Sequence, residues 1–188
     1  MTDDPRTMKQ RMLAGDPYIT DDEILADQVR SQELMVAYNA SAPGDGERRR
    51  LLEELLGSVG VDTEIRPPFY VDYGGHITMG DRCFANFGLI ALDVAAITIG
   101  DDVQIGPNVQ LLTPTHPVEP GPRRDKWESA APITIGANVW IGGGAIVLAG
   151  VTIGADTVVG AGSVVTKDLP AGVLALGNPA RVVRRLED

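Results

Sequence analysis

The sequence predicts a mainly β fold: a parallel β-helix of six-residue repeats, preceded by an α-helical extension and interrupted by one long loop at about 113–132. Three observations predict it. Ile or Val recurs at every sixth residue, at Ile135, Ile141, Val147, Ile153, Val159 and Val165. Glycine is in excess, 22 of 188 residues, and directly follows many of those positions, as at Gly136, Gly142, Gly154 and Gly160. Aromatic residues are 5% of the chain, which suits a narrow core with little room for rings.

A period of six fits neither the 3.6-residue turn of an α-helix nor the two-residue alternation of a strand. A triangular coil fits it. Each flat side takes six residues, the aliphatic side chain points inward, and glycine stands at the turn, where backbone freedom is needed. Four residues after each aliphatic position comes a small or branched one: Val139, Ala145, Val151, Thr157, Ser163 and Leu169. The grid runs backward through Leu111, Ile105 and Ile99, and fails at Pro117, Arg123 and Ser129. An earlier block, Met79, Ala85, Ala91 and Ile97, keeps the period two residues out of phase. The expectation is therefore two ordered blocks, a small slip near Ile97 and one long interruption.

The N-terminal third has helical periodicity. Thr20-x-x-Glu23 reads as a capping box opening a helix with Ile24, Leu25, Val29, Leu34, Met35 and Tyr38 on its apolar stripe. Leu51, Leu52, Leu55, Leu56 and Val59 form a second stripe, ended by Gly57 or Gly60. We divide the chain into a helical extension over residues 1–62, capping the open end of the coil, and a β-helix over 63–188, because an open solenoid end needs a cap.

Composition narrows the function. Lys and Arg number 16 against 26 Asp and Glu, a net charge of −10, which disfavours nucleic acid as a partner. One cysteine, Cys83, cannot form an internal disulfide, and two histidines, His76 and His116, leave few metal ligands. Residues 129–155 carry no charge but are rich in Gly, Thr, Pro and Asn and periodic, so no membrane span is expected. The Met-Thr-Asp-Asp start has no basic, apolar leader, and a cytoplasmic protein is the expectation.

The ordered motifs resemble hexapeptide-repeat acyltransferases, and within them the maltose and galactoside O-acetyltransferases. The resemblance rests on Pro67-Pro68-Phe69-Tyr70-Val71-Asp72-Tyr73-Gly74, Ala85-Asn86-Phe87, Leu92-Asp93, Thr115-His116-Pro117, Asn138-Val139-Trp140-Ile141-Gly142-Gly143, Gly160 through Asp168, and Gly177-Asn178-Pro179-Ala180-Arg181. Lys9 and Met12-Leu13-Ala14-Gly15 resemble the family's helical extension, so the likeness spans nearly the whole chain. It implies a left-handed coil, acetyl-CoA as co-substrate with no metal, and a homotrimer with sites between subunits.

The resemblance also implies roles. O-acetylation moves an acetyl group from a thioester to a hydroxyl, which needs a base for the hydroxyl and donors for the oxyanion. His116, at the start of the long loop, is the implied general base, in direct transfer within a ternary complex. Asp72, Asn86, Asp93 and Glu128 fall at positions that contact acceptor or acetyl group or orient the histidine; for Asp93, hydrogen bonding within a turn is an equal alternative. Asp21 and Arg30 have nearly the spacing of the family's sugar-binding Asp and Arg, with a solvated helix face as the alternative. Phe84 stands where some relatives have tyrosine and lacks its hydroxyl. For the cofactor, Lys167, Arg181, Arg184 and Arg185 cluster in the last 22 residues and suit phosphates. Gly143 and Ala161 lie on repeat corners with bare backbone N–H groups, Thr166 precedes Lys167, and Trp140 points outward. Cys83 falls at an inward small position, which predicts a buried, inert thiol. His76 has no motif around it and reads as structural.

Two other classes fit the sequence less well. A zinc carbonic anhydrase on this fold takes three histidines per subunit, and the chain has two. A non-catalytic repeat scaffold would not need His116, Asn86 and Lys167 together. Within the enzyme class, another hydroxyl or amine acceptor is the alternative to a sugar.

Overall fold

The computed structural model describes residues 4–44 and 46–187. Three helices come first: α1 (Met8–Leu13), α2 (Asp22–Ala40) and α3 (Gly46–Leu55). A capping box does start a helix, but it starts α1: the Thr7 side chain accepts from Gln10 N–H, and the Gln10 side chain accepts from Thr7 N–H. The cap of α2 is Asp21, one residue after the expected Thr20, with its carboxylate accepting from Ile24 N–H at 3.1 Å. An ionised cap beside the positive helix end outcompetes a neutral hydroxyl. Leu25 and Val29 turn to solvent; Ile24 and Tyr38 are the buried members of α2.

From Ser58 the chain winds into a β-helix with three parallel faces. The first face stacks Ser58–Val59, Ile77–Met79, Ile97–Ile99, Ile133–Ile135 and Thr152–Ile153. The second stacks Glu64–Ile65, Phe84–Ala85, Gln104–Ile105, Trp140–Ile141, Val158–Val159 and Val173–Leu176, and closes with the antiparallel edge strand Arg181–Arg185. The third stacks Phe69–Val71, Leu89–Leu92, Gln110–Leu112, Ile146–Leu148 and Val164–Val165. We number the corners in chain order: corner 1 joins the first and second faces, corner 2 the second and third, corner 3 the third and the next first. The six repeat positions Ile135 through Val165 are all at most 1% exposed, as the period predicts.

Register explains the slip. Ser58, Thr78, Thr98, Thr134 and Thr152 are stacked partners, so successive coils take 20, 20, 36 and 18 residues. Every added residue enters at corner 3: Val71 to Met79 and Ala91 to Ile99 are eight-residue steps, and Leu111 to Ile135 contains the loop. That loop is not structureless. Pro114–Thr115 pairs antiparallel with Ser129–Ala130, and a short helix, α4 (Pro120–Arg124), lies between them.

The corner glycines act differently from the expectation. Gly136 and Gly142 do not have positive φ; a Cβ on Gly136 would stand 2.5 Å from Ala155 N, and one on Gly142 2.8 Å from Ala161 Cα. Close approach of the next coil selects glycine there. Left-handed residues come two positions after the corner glycines, at Asp62, Arg82, Asp102, Asn108, Asn138 and Asp156, all but Arg82 of types that tolerate that region.

The helices close the first-coil end. Tyr38, Leu51, Leu52, Leu55 and Leu56 share one core with Ile65, Phe69, Val71 and Ile77. Burying each such leucine contributes roughly 1.5–3 kcal/mol. Among the described residues no helix is long and apolar enough to cross a membrane; residues 129–155 belong to the coil. Cys83 is buried, its Sγ donating to Gly100 O at 3.0 Å, and burial pushes its pKa up, so it is the inert thiol expected.

Candidate active site

Corner 3 gathers the polar residues. Asp93 fills the space its two added residues open: it has no exposed surface, and its carboxylate accepts from the N–H groups of Asp72 (3.1 Å), Tyr73 (2.9 Å) and His76 (3.1 Å). Of the two readings of Asp93, the geometry fills the hydrogen-bonding one. His76 Nδ1–H donates to Asp93 O at 2.6 Å, and its ring lies against Tyr73, which is a structural setting.

The loop returns beside this corner. The hairpin register pairs Pro114 with Ala130 and Thr115 with Ser129, so His116 follows at the end of the ladder, on the side of Glu128. Glu128 is held from its other side by Tyr18: their backbones exchange two hydrogen bonds of 2.9 Å, and Tyr18 Oη donates to Glu128 Oε2 at 3.0 Å. Tyr18 belongs to a second small core with Met12, Ile24, Tyr73, Val94 and Ala130, which anchors the N-terminal arm on the loop base. Burial, then the charges of Asp93 and Glu128, push Asp72 up to about 6. His116 itself is exposed.

Corner 2 is regular and forms a groove. Phe84, Asn86, Gln104, Pro107, Trp140 and Gly143 line it across three coils, and Ala161 lies on the same corner one coil further. The Asn86 Oδ1 accepts from Phe87 N–H at 2.8 Å, which leaves the Nδ2 donors for a ligand. Trp140 points outward and is 55% exposed. Beyond, Arg181 and Arg184 are exposed on the edge strand. A Cβ on Gly143 would stand 3.1 Å from Pro107 Cδ, so this corner stays bare beside the groove. A narrow, glycine-lined groove with basic residues at one end fits a long thioester ending in phosphates.

The structure therefore divides the residues singled out from the sequence. Asp72, Asp93, His116 and Glu128 share corner 3; Phe84, Asn86, Trp140, Gly143 and Ala161 share corner 2; the third face separates them. Thr166 and Lys167 are exposed at corner 3 of the last coil, apart from the groove. Asp21 caps α2, and Arg30 lines a separate charged cleft with Lys9, Asp27, Glu54 and His76. Sequence reasoning missed Tyr18 and Arg66. Tyr18 is the partner of Glu128, 110 residues away. The Arg66 guanidinium lies over the rings of Phe84 (4.9 Å) and Phe87 (5.2 Å). Only the aromatic pair flanking Asn86 could have signalled the second.

Comparison with known proteins fits this geometry. Residues 11–60 match the maltose acetyltransferase hexapeptide capping motif, and residues 132–167 match six bacterial transferase hexapeptide repeats. The chain is 49% identical over 179 residues to nodulation protein L of Rhizobium meliloti (strain 1021), covering 94% of this chain and 98% of that protein. The crystal structure of a maltose O-acetyltransferase from Clostridium difficile 630 superposes with a TM-score of 0.95 at 41% identity, covering 98% of this chain and all of that one. A galactoside acetyltransferase in complex with coenzyme A gives 0.93 at 40% identity, over 97% of this chain and 92% of that one. By fold, cap and repeat, the chain belongs to the hexapeptide-repeat maltose and galactoside O-acetyltransferase family.

Proposed function

We propose that this protein transfers an acetyl group from acetyl-CoA to a hydroxyl of a sugar, with His116 as general base and direct transfer in a ternary complex. The observation that carries the reading is the pairing of an exposed histidine, at the end of a braced hairpin, with a bare groove whose Asn86 has unspent amide donors. A His116 ring nitrogen takes the acceptor hydroxyl's proton as oxygen attacks the thioester carbonyl. Asn86 Nδ2 offers a donor to the developing oxyanion. Collapse of the tetrahedral centre releases the CoA thiol. Trp140, Gly143 and Ala161 wall the pantetheine, and Arg181 and Arg184 pair with phosphates, with Thr166 and Lys167 contributing from corner 3. Cys83 is too buried to carry the acetyl group. Asp72 and Glu128, which face each other electrostatically at corner 3, are the acceptor side.

The site is shared between copies of the chain in a homotrimer. Two features support this. His116 and Asn86 stand on different corners. Between those corners the third face carries an outward column of Tyr70, Ile90, Gln110, Ile146 and Val164, flanked by Leu92 and Leu112, whereas the first face carries outward Thr78, Thr98, Thr134 and Thr152. A face apolar but for one glutamine is one that a second copy covers.

The test is thiol release from acetyl-CoA with glucose, maltose, galactosides and chitin oligomers, for wild type and His116→Ala. Sugar-dependent release falling by roughly 10²–10⁴-fold in the variant is the expected result. No release with any hydroxyl acceptor, or full activity in His116→Ala, would overturn the reading.

A further inference from the structure

Arg66 is the least expected residue near the groove. It follows Ile65 on the second face, and its backbone N–H donates to Ala85 O at 2.9 Å, which sets it in register beneath Asn86, one coil nearer the helical cap. Its guanidinium lies over two aromatic rings, Phe84 on the face (4.9 Å) and Phe87 on the corner (5.2 Å). Cation–π contacts of this kind hold a planar group without consuming its N–H donors. Among the described residues its one ion pair is with Glu64 at 3.7 Å, longer than a hydrogen bond, and the side chain is 43% exposed. Phe87 beside it is half exposed.

This arrangement is oriented along corner 2. The groove runs from Phe84 and Asn86 through Pro107 and Gly143 to Ala161, with Arg181 and Arg184 at the far end. If the phosphates take the basic end, the thioester reaches Asn86, and the next surface beyond it is Arg66 with Phe87. A flat apolar ring next to a fixed fork of donors suits a pyranose: the ring's C–H face stacks, and adjacent hydroxyls accept from the guanidinium.

We infer that Arg66 and Phe87 form a subsite for a second sugar ring, making the preferred acceptor an oligosaccharide rather than a monosaccharide. The inference rests on the acetyl-CoA reading of the groove.

Two measurements test this. The first is kcat/KM for matched acceptors, glucose against maltotriose and N-acetylglucosamine against chitotriose, in wild type, Arg66→Ala, Arg66→Lys and Phe87→Ala, with folding checked by thermal melts. In at least one series wild type prefers the trisaccharide by about tenfold or more. In Arg66→Ala and Phe87→Ala that preference collapses, through KM, while KM for acetyl-CoA holds. Arg66→Lys keeps the charge but not the planar fork and loses most of the preference as well. The second is calorimetric binding of the same trisaccharides, which needs no turnover. Trisaccharide binding weakened by Arg66→Ala in a protein with no transferase activity would sink the acetyl-transfer reading and leave the subsite standing. Active enzyme with equal kcat/KM for mono- and trisaccharides, or with a preference unchanged in Arg66→Ala, would overturn the subsite alone. A loss confined to KM for acetyl-CoA would also overturn it, by assigning Arg66 to the donor.

Discussion

Corner 2 turns the same way coil after coil, through Gly106–Val109, Gly142–Ala145 and Gly160–Ser163, whereas corner 3 takes two added residues in each of the first two coils and a whole loop in the third. Both corners join the same kind of face and cover the same core. Corner 2 is held by backbone contact between coils, so tight that Gly106 and Gly142 have no space for a side chain. Corner 3 is held by side chains: the Asp93 carboxylate, and Thr113, whose Oγ1 donates to Leu92 O at 2.6 Å and accepts from Ala95 N–H. The regular corner makes a smooth wall along which one long ligand can lie. The irregular corner gathers Asp72, His116 and Glu128, the side chains that the proposed transfer uses.

Substitutions at three positions break or sharpen that contrast. The largest effect on stability belongs to corner 3. Asp93→Ala strands one buried and two part-buried N–H groups and is expected to lower unfolding free energy by about 3 kcal/mol, read in urea melts. Asp93→Asn, which keeps one oxygen as acceptor, should fall between the two proteins. A loss below about 1 kcal/mol for the alanine variant would mean that water braces the corner instead.

At corner 2 the counterpart is Gly142→Ala, whose Cβ would stand 2.8 Å from Ala161 Cα. Overpacking of this kind costs about 1–3 kcal/mol. On the proposed reading the same shift raises KM for acetyl-CoA, because Gly143 lines the groove and Ala161 continues that corner one coil further. An unchanged melting temperature would show that neighbouring coils slide apart more freely than their ladder suggests.

The smallest effect depends on pH. Asp72 has a folded pKa raised to about 6 from 3.8. The folded state therefore holds this proton more tightly than the unfolded chain, and Asp72 subtracts stability as pH rises from about 4 to about 6. Asp72→Asn removes that penalty. The variant should be the more stable protein above pH 6, by about 1 kcal/mol after allowing for solvent screening, and equal to wild type near pH 4. Melts between pH 4 and 8 decide it; an advantage that grew toward low pH would reverse the sign and refute the account.

Regular parts of this molecule were readable from sequence because each coil repeats one physical problem. An inward Ile141 or Val159 needs no distant partner to be recognised, and neither does the inward Cys83. The slip at Ile97 was visible, but its twin between Val71 and Met79 was not, because Val59, which opens the in-phase run Val59, Ile65 and Val71, was counted in the second helical stripe and lies instead in the first strand. Glycine was read as a source of backbone freedom, yet at Gly136 the governing fact is Ala155 of the next coil, which no local pattern encodes. Leu25 and Val29 followed helical spacing and still face solvent, since the cap has only one face to cover. In the candidate site, motifs exposed His116 and Asn86. Tyr18 and Arg66 stayed hidden because each is defined by a contact across the fold, to Glu128 and to the Phe84–Phe87 pair.

The unequal coil lengths have an engineering consequence. Steps of 20, 36 and 18 residues leave every strand in register, so corner 3 works as an insertion port whose cargo is decoupled from the frame. The stretch between Thr113 and Ala131, tied at its base by the Thr113 O to Ala131 N–H bond and the Thr115–Ser129 pair, is a cassette. Exchanging it between relatives should carry over the His116 and Glu128 share of the proposed site without re-solving the folding problem of the coil.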